Sequence, residues 1–154
     1  MPGRDTKTAV FHDFVIEVEP RLHAALIPSL GLEHAREATA EALAWAWEHW
    51  DRVAGMDNPA GYLYRVARTE ARKLYRGRPV LPAPPSTEMP WVEPGLPAAI
   101  ARLPDRQRVT VVLVYALGWT QAEVAALLGV SHGSVQKHAE RGLQRLRSAL
   151  GGDT

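Results

Sequence analysis

The strongest constraint on the fold of this chain lies between Trp119 and Arg141. Thr120 and Glu123 are spaced as a capping box, in which hydroxyl and carboxylate each satisfy a free backbone N–H at a helix start. Val124, Leu127 and Leu128 recur at helical spacing and give the short helix that follows one buried face. Gly129 stands where a left-handed backbone costs least, and Ser131 is placed to cap a second helix. In that helix Val135, Ala139, Leu143, Leu146 and Leu150 form an inner stripe. Ser134, Gln136, Lys137, Arg141, Gln144, Arg145 and Arg147 fill the other side. An apolar floor under a basic, donor-rich outer face suits a recognition helix in a DNA major groove. A helical hairpin with a solvated basic face is the alternative. Cap, turn, core spacing and basic face, read independently, agree on a helix-turn-helix.

The rest of the chain also follows helical periods, and the expected class is all-α. One helix is expected over about Thr8–Ile27, interrupted at Pro20, and a second over Glu33–Trp50 with Ala35, Ala38, Ala42, Leu43, Ala46, Trp47 and Trp50 inward. Trp45 falls off that inner face, either as a partner contact or in local packing. A third helix starts at Asn58-Pro59, a cap followed by proline at the first helical position. Leu63, Val66, Ala67, Ala71 and Leu74 form its core stripe. Tyr62, Tyr64, Arg65, Arg68, Arg72 and Lys73 share its remaining surface, and aromatic rings beside arginines suit unstacked bases and phosphates of single-stranded DNA. A solvated basic face is the bland alternative there. Residues 77–97 are rich in proline and cannot build a core, which divides the chain into helical domains at 1–76 and 98–154. In the second domain Val109, Val112, Leu113 and Ala116 are expected to support the helix-turn-helix.

Charge is near balance overall but unevenly placed. Residues 1–58 are mainly acidic, whereas Arg65, Arg68, Arg72, Lys73, Arg76 and Arg78 crowd the third helix against the single Glu70. A second basic concentration falls in the last helix. Two separated positive segments fit a two-point contact with a polyanion. The chain has no cysteine, which excludes disulfides and thiolate metal sites and fits a reducing cytoplasm. No apolar run approaches a membrane span, and the first residues lack a signal core. The six histidines lack ligand spacing, and there is no phosphate loop or nucleophile motif. No enzyme activity, metal, cofactor or small-molecule ligand is expected.

Leu103-Pro104-Asp105-Arg106-Gln107-Arg108, the helix-turn-helix with its Ser131-x-Gly133-Ser134-Val135-x-x-His138 run, and Gly142-Leu143-Gln144-Arg145-Leu146-Arg147 together resemble the fourth conserved region of extracytoplasmic-function sigma factors. Glu37 to Trp47 followed by Asn58 to Arg68 resembles the second region of the same family. The resemblance implies a region 2-like three-helix bundle and a region 4-like helix-turn-helix. The implied partners are promoter DNA, core RNA polymerase and, in some members, an anti-sigma factor. It assigns the upstream promoter element to Ser131, Ser134, Lys137, His138 and Arg141, and the melted strand to the Tyr62–Lys73 set above. Glu37, Glu41 and Trp45 take the polymerase-docking surface. The linker, with its apolar Met89-Pro90-Trp91-Val92, would thread toward the RNA path. Three departures stand out: Ala40, where the family carries glutamine, Thr69 for asparagine, and Lys73 for aspartate. They leave open a sigma-like DNA-binding regulator without full docking or melting, and a sigma mimic that titrates an anti-sigma factor.

Overall fold

Residues 2–75 and 95–151 are described by the structure, a computed structural model, and all regular structure among them is helical. Nearly all of the expected linker, with Trp91, lies outside the described residues.

Helix α1 runs unbroken from Pro2 to Leu30, through Pro20 and Pro28. The expected break at Pro20 does not occur. An interior proline costs about 3 kcal/mol through its missing N–H and its ring clash. Leu22, Ala25, Leu26 and Leu30 lie on one continuous face beyond it, all 5% exposed or less. Each large side chain there contributes about 1.5–3 kcal/mol by burial, so keeping the face straight outweighs the proline.

After Gly31 the chain turns back into α2 (Leu32–Glu48), whose buried Ala35, Ala38, Ala42 and Ala46 allow close approach to α1. The helix stops at His49 rather than at Trp50. His49 Nδ1 lies 2.9 Å from the Trp45 carbonyl, and its backbone leaves the helical region at φ −118°. A separate turn, α3 (Trp50–Ala54), buries Trp50 and Val53. Trp47, expected inside, is 39% exposed, with its ring 4.9 Å from Phe11.

Asn58 caps α4 (Pro59–Leu74), its Oδ1 accepting from the Gly61 N–H at 3.1 Å. Leu63, Ala67 and Ala71 are buried as their spacing predicts. Val66 and Leu74 are not, at 39% and 71% exposed, and Tyr64 is buried instead. The reason is that α4 is gripped from two sides, by α1 and α2 and by a later helix, which rolls its buried face toward Gly61 and Tyr64.

The second half begins with α5 (Leu96–Ala101) and α6 (Asp105–Val111). Helix α6 widens into a π-turn over Val112–Ala116, closed by Leu117 N–H to the Val112 carbonyl at 3.1 Å. The extra residue in that turn shifts the side-chain register. Val109 and Leu113 therefore stay fully buried, while Ala116, expected inside, is exposed. Then come α7 (Gln121–Leu128) and α8 (His132–Ala149). Val109, Leu113, Val124, Leu127, Leu128 and Val135 join the same core as Val18, Leu22, Leu26, Leu63 and Tyr64. A smaller core of Ala99, Leu103, Val111 and Leu146 seats α5 on α8.

Helices α6 and α8 meet at Gly142, where an added Cβ would stand 2.6 Å from Val111 Cγ2. Gly142→Ala is therefore expected to destabilise the fold by about 1–2 kcal/mol, overpacking outweighing better helix propensity. A chemical-denaturation midpoint equal to or above that of the unsubstituted protein would show that Val111 moves aside freely.

Candidate nucleic-acid interface

The helix-turn-helix is assembled by local chemistry. Thr120 Oγ1 accepts from the Glu123 N–H at 3.0 Å, and Glu123 Oε1 accepts from the Thr120 N–H at 3.3 Å, closing the expected capping box. Gly129 takes φ 68°, a left-handed conformation that lets the chain leave α7 without a Cβ penalty. Ser131 Oγ accepts from the Ser134 N–H at 3.1 Å, and the two hydroxyls lie 3.0 Å apart. These two serines hold the start of α8 while remaining near its outer surface.

Lys137 and Arg141, one turn apart, are exposed, and neither has an ion-pair partner among the described residues. They are cations on the exposed side of α8 with no carboxylate partner among the described residues to leave. His138 between them is half-buried. Burial, then Arg106 and Arg141, lowers its pKa from the ordinary histidine value, so it stands as a neutral imidazole at neutral pH.

The cations of α4 are placed differently. Arg65 donates to the Leu127 carbonyl at 3.1 Å and to that of Ala126 at 3.4 Å, at the C-terminal end of α7 where the helix dipole favours a positive charge. Arg68 and Arg72 reach one carboxylate oxygen of Asp105 at 3.1 and 3.5 Å. Lys73 pairs with Glu70 at 3.2 Å. Tyr64, expected on this face, is fully buried, and burial pushes its phenol above the ordinary value. In this arrangement it presents nothing to a nucleic acid. Tyr62 is half-buried at the start of the helix, with Arg52 5.8 Å from its ring centroid and Trp45 at the same separation.

Trp45 therefore touches α4. It stacks on His49 at 4.3 Å and lies beside Tyr62 and Arg52. Glu37 and Glu41 are exposed on α2 as expected, although Glu37 also accepts from Tyr75 Oη at 2.7 Å. That hydrogen bond heads the causes that raise the Tyr75 pKa.

Two residues that the sequence did not single out hold this region together. Arg108 donates to the carbonyls of Pro28 and, at 2.6 Å, Leu103, and pairs with Asp105 Oδ1 at 3.0 Å. Its side chain is only 6% exposed. Burial draws its pKa down and Asp105 opposes that. Asp105 thus stands among three arginines. The one signal in the sequence was the Asp105–Arg108 spacing of three, which puts both on one side of α6. Among the described residues no group of side chains could hold a metal ion, and no helix is long and apolar enough to cross a membrane.

Residues 95–146 match the family model described as Sigma-70, region 4. The chain is 27% identical over 191 aligned residues to the ECF RNA polymerase sigma factor SigG of two Mycobacterium tuberculosis strains, with 96% of the chain covered. It spans about half the length of these curated relatives. In fold it is similar to the sigma factor RpoE of Bartonella quintana, solved in complex with the anti-sigma factor NepR. The TM-score is 0.65 at 20% identity, covering 94% of this chain and 98% of that one.

Proposed function

We propose, from the premise that this chain is a relative of extracytoplasmic-function sigma factors carrying a sigma-70 region 4 segment, that it directs core RNA polymerase to specific promoters. In this reading α8 enters the major groove of an upstream element through Ser131, Ser134, Lys137, His138 and Arg141. Tyr62, Arg65, Arg68, Arg72 and Lys73 on α4 hold the melted strand. Glu37 and Glu41 on α2, with Trp45 at their edge, meet the polymerase. The units 1–76 and 98–154 act as two grips, joined through 77–97. An anti-sigma factor is a further partner of the kind seen with the structural neighbour. The single observation that carries the reading is the capped α7–α8 unit with Lys137 and Arg141 exposed on its outer face, inside the segment that matches region 4.

Run-off transcription with purified core polymerase and genomic DNA fragments tests it. Discrete transcripts that depend on the added protein are expected. Glu37→Arg with Glu41→Arg should abolish co-purification with core polymerase and leave duplex binding through α8 intact. Loss of both activities together would mean misfolding, not a docking surface.

A second reading has one specific support. Ala40 is exposed on α2 between Glu37 and Glu41 and offers no polar group. If the protein binds duplex DNA but neither joins core polymerase nor opens a promoter, it is a sigma-like regulator. Ala40, Thr69 and Lys73 then mark what was lost.

A further inference from the structure

A recognition helix reads base edges mainly with its first residues. His138 comes more than a turn later, where α6 crosses α8. A Cβ added to Gly142, one turn further on, would lie 3.5 Å from the Gln107 Cβ. The first turn of α6 is therefore set against residues 138–142 of α8, and Arg106, next to Gln107, is brought to His138. Arg141 approaches it from α8 itself. Both arginines act on the imidazole, and both are exposed with no ion-pair partner among the described residues. No carboxylate on the helices packed against α8 offsets them. Asp105 is turned to Arg68, Arg72 and Arg108. The one charged side chain of α7, Glu123, is taken by Arg21 and the Thr120 cap, and α5 carries no charged residue. Glu140, two residues after His138, lies on another side of α8. Two guanidinium groups and an imidazole thus meet at the rim of the recognition surface without an anion, and a phosphate supplies the charge and the acceptor oxygens they lack.

We propose that Arg106, His138 and Arg141 form a site for a backbone phosphate of duplex DNA, and that His138 takes up a proton from solvent as the phosphate enters. This rests on the reading of α8 as the groove helix and adds Arg106 of α6 to it. In the free protein burial, then Arg106 and Arg141, holds the His138 pKa below the ordinary histidine value, so the ring is neutral and adds no repulsion to the two arginines. A phosphate against the ring favours the imidazolium and raises that value. Below the free value both forms carry the proton, and duplex affinity is greatest. As pH rises from there to the bound value, only the complex holds the proton, and affinity falls by at most about tenfold per pH unit for one proton. Above the bound value the ring is neutral in both forms, and affinity levels off.

The test uses the full chain and a labelled duplex selected from a random library on the unsubstituted protein. Fluorescence anisotropy from about pH 5.5 to 8 at fixed ionic strength, the range in which histidine titrates, reports affinity. The unsubstituted protein should bind more weakly as pH rises through this range. His138→Gln, which keeps a donor but cannot titrate, should flatten the profile. His138→Arg should hold the strong binding across it. Arg106→Ala should weaken binding and lower the salt slope by about one unit. It should also shift the fall to higher pH, because one repulsion on His138 is gone. Ring-proton resonances of His138, identified as those missing from His138→Gln, should titrate at higher pH in the complex than in the free protein. A merely structural role would not move that titration.

If His138→Gln keeps the pH dependence of the unsubstituted protein, or if the His138 resonances titrate no higher in the complex, His138 takes up no proton and the proposal is overturned. If Arg106→Ala leaves affinity and salt slope unchanged while Lys137→Ala weakens binding, α6 has no part in the contact; the proposal fails and the α8 reading stands. If the selection recovers no duplex, the α8 reading fails first and this proposal with it.

Discussion

Replacing Arg108 with alanine is expected to lower the unfolding free energy by about 3–5 kcal/mol, the range for removing one partner of a buried pair. Three losses combine. Asp105 keeps two arginines but loses the one that is itself buried. The carbonyls of Pro28 and Leu103 lose their donor. At Pro28 that acceptor lies inside the fold, where an unsatisfied group costs about 1–3 kcal/mol. The side chain also leaves a void between α1 and α6. Urea unfolding followed by circular dichroism measures the change. Arg106→Ala, an exposed neighbour on the same helix, should stay within about 0.5 kcal/mol. Equal midpoints for the two variants would mean that Arg108 is not a structural centre.

The second large effect concerns duplex recognition. Lys137→Ala and Arg141→Ala are each expected to weaken binding of the cognate upstream duplex by about 1–3 kcal/mol if the side chain reads a base. If it contacts a phosphate, the salt dependence should flatten by about one unit of slope. Stability should not change, because both side chains are exposed and neither is paired among the described residues. Gel shifts across a salt series separate the two cases. Unchanged affinity and slope for both variants would remove α8 from the groove.

What could be read from the residues is what is decided locally. The capping box at Thr120, the left-handed Gly129 and the Ser131 cap each act within a few residues, and all three are found where spacing placed them. The Asn58-Pro59 start of α4 is of the same kind. At Pro20 the local penalty is real, and only the continuous buried face of α1, which no local signal reports, outweighs it. Tyr64 and Val66 exchanged places for a related reason. Periodicity gives a helix one face, but α4 is packed on two sides, and nothing in its own residues announces the second neighbour. Arg108 stands in the sequence beside Arg106 with little beyond its spacing from Asp105 to set it apart. Its role depends on the Pro28 carbonyl, eighty residues earlier in the chain.

That last separation bears on biosynthesis. Synthesis runs from the N-terminus, and domains tend to fold in that order. Helix α1 is complete long before α6 exists, so its C-terminal end emerges with a seat still empty. Helices α2 and α4 can cover much of the Leu22–Leu30 face as they appear, but Arg108, the donor for Pro28, is made later. A ribosome stalled within the proline-rich stretch would hold a nascent bundle with an uncovered flank and a cationic face not yet closed by Asp105. Such an intermediate should be the species most prone to capture by chaperones or by nucleic acid, and completing α6 should release it.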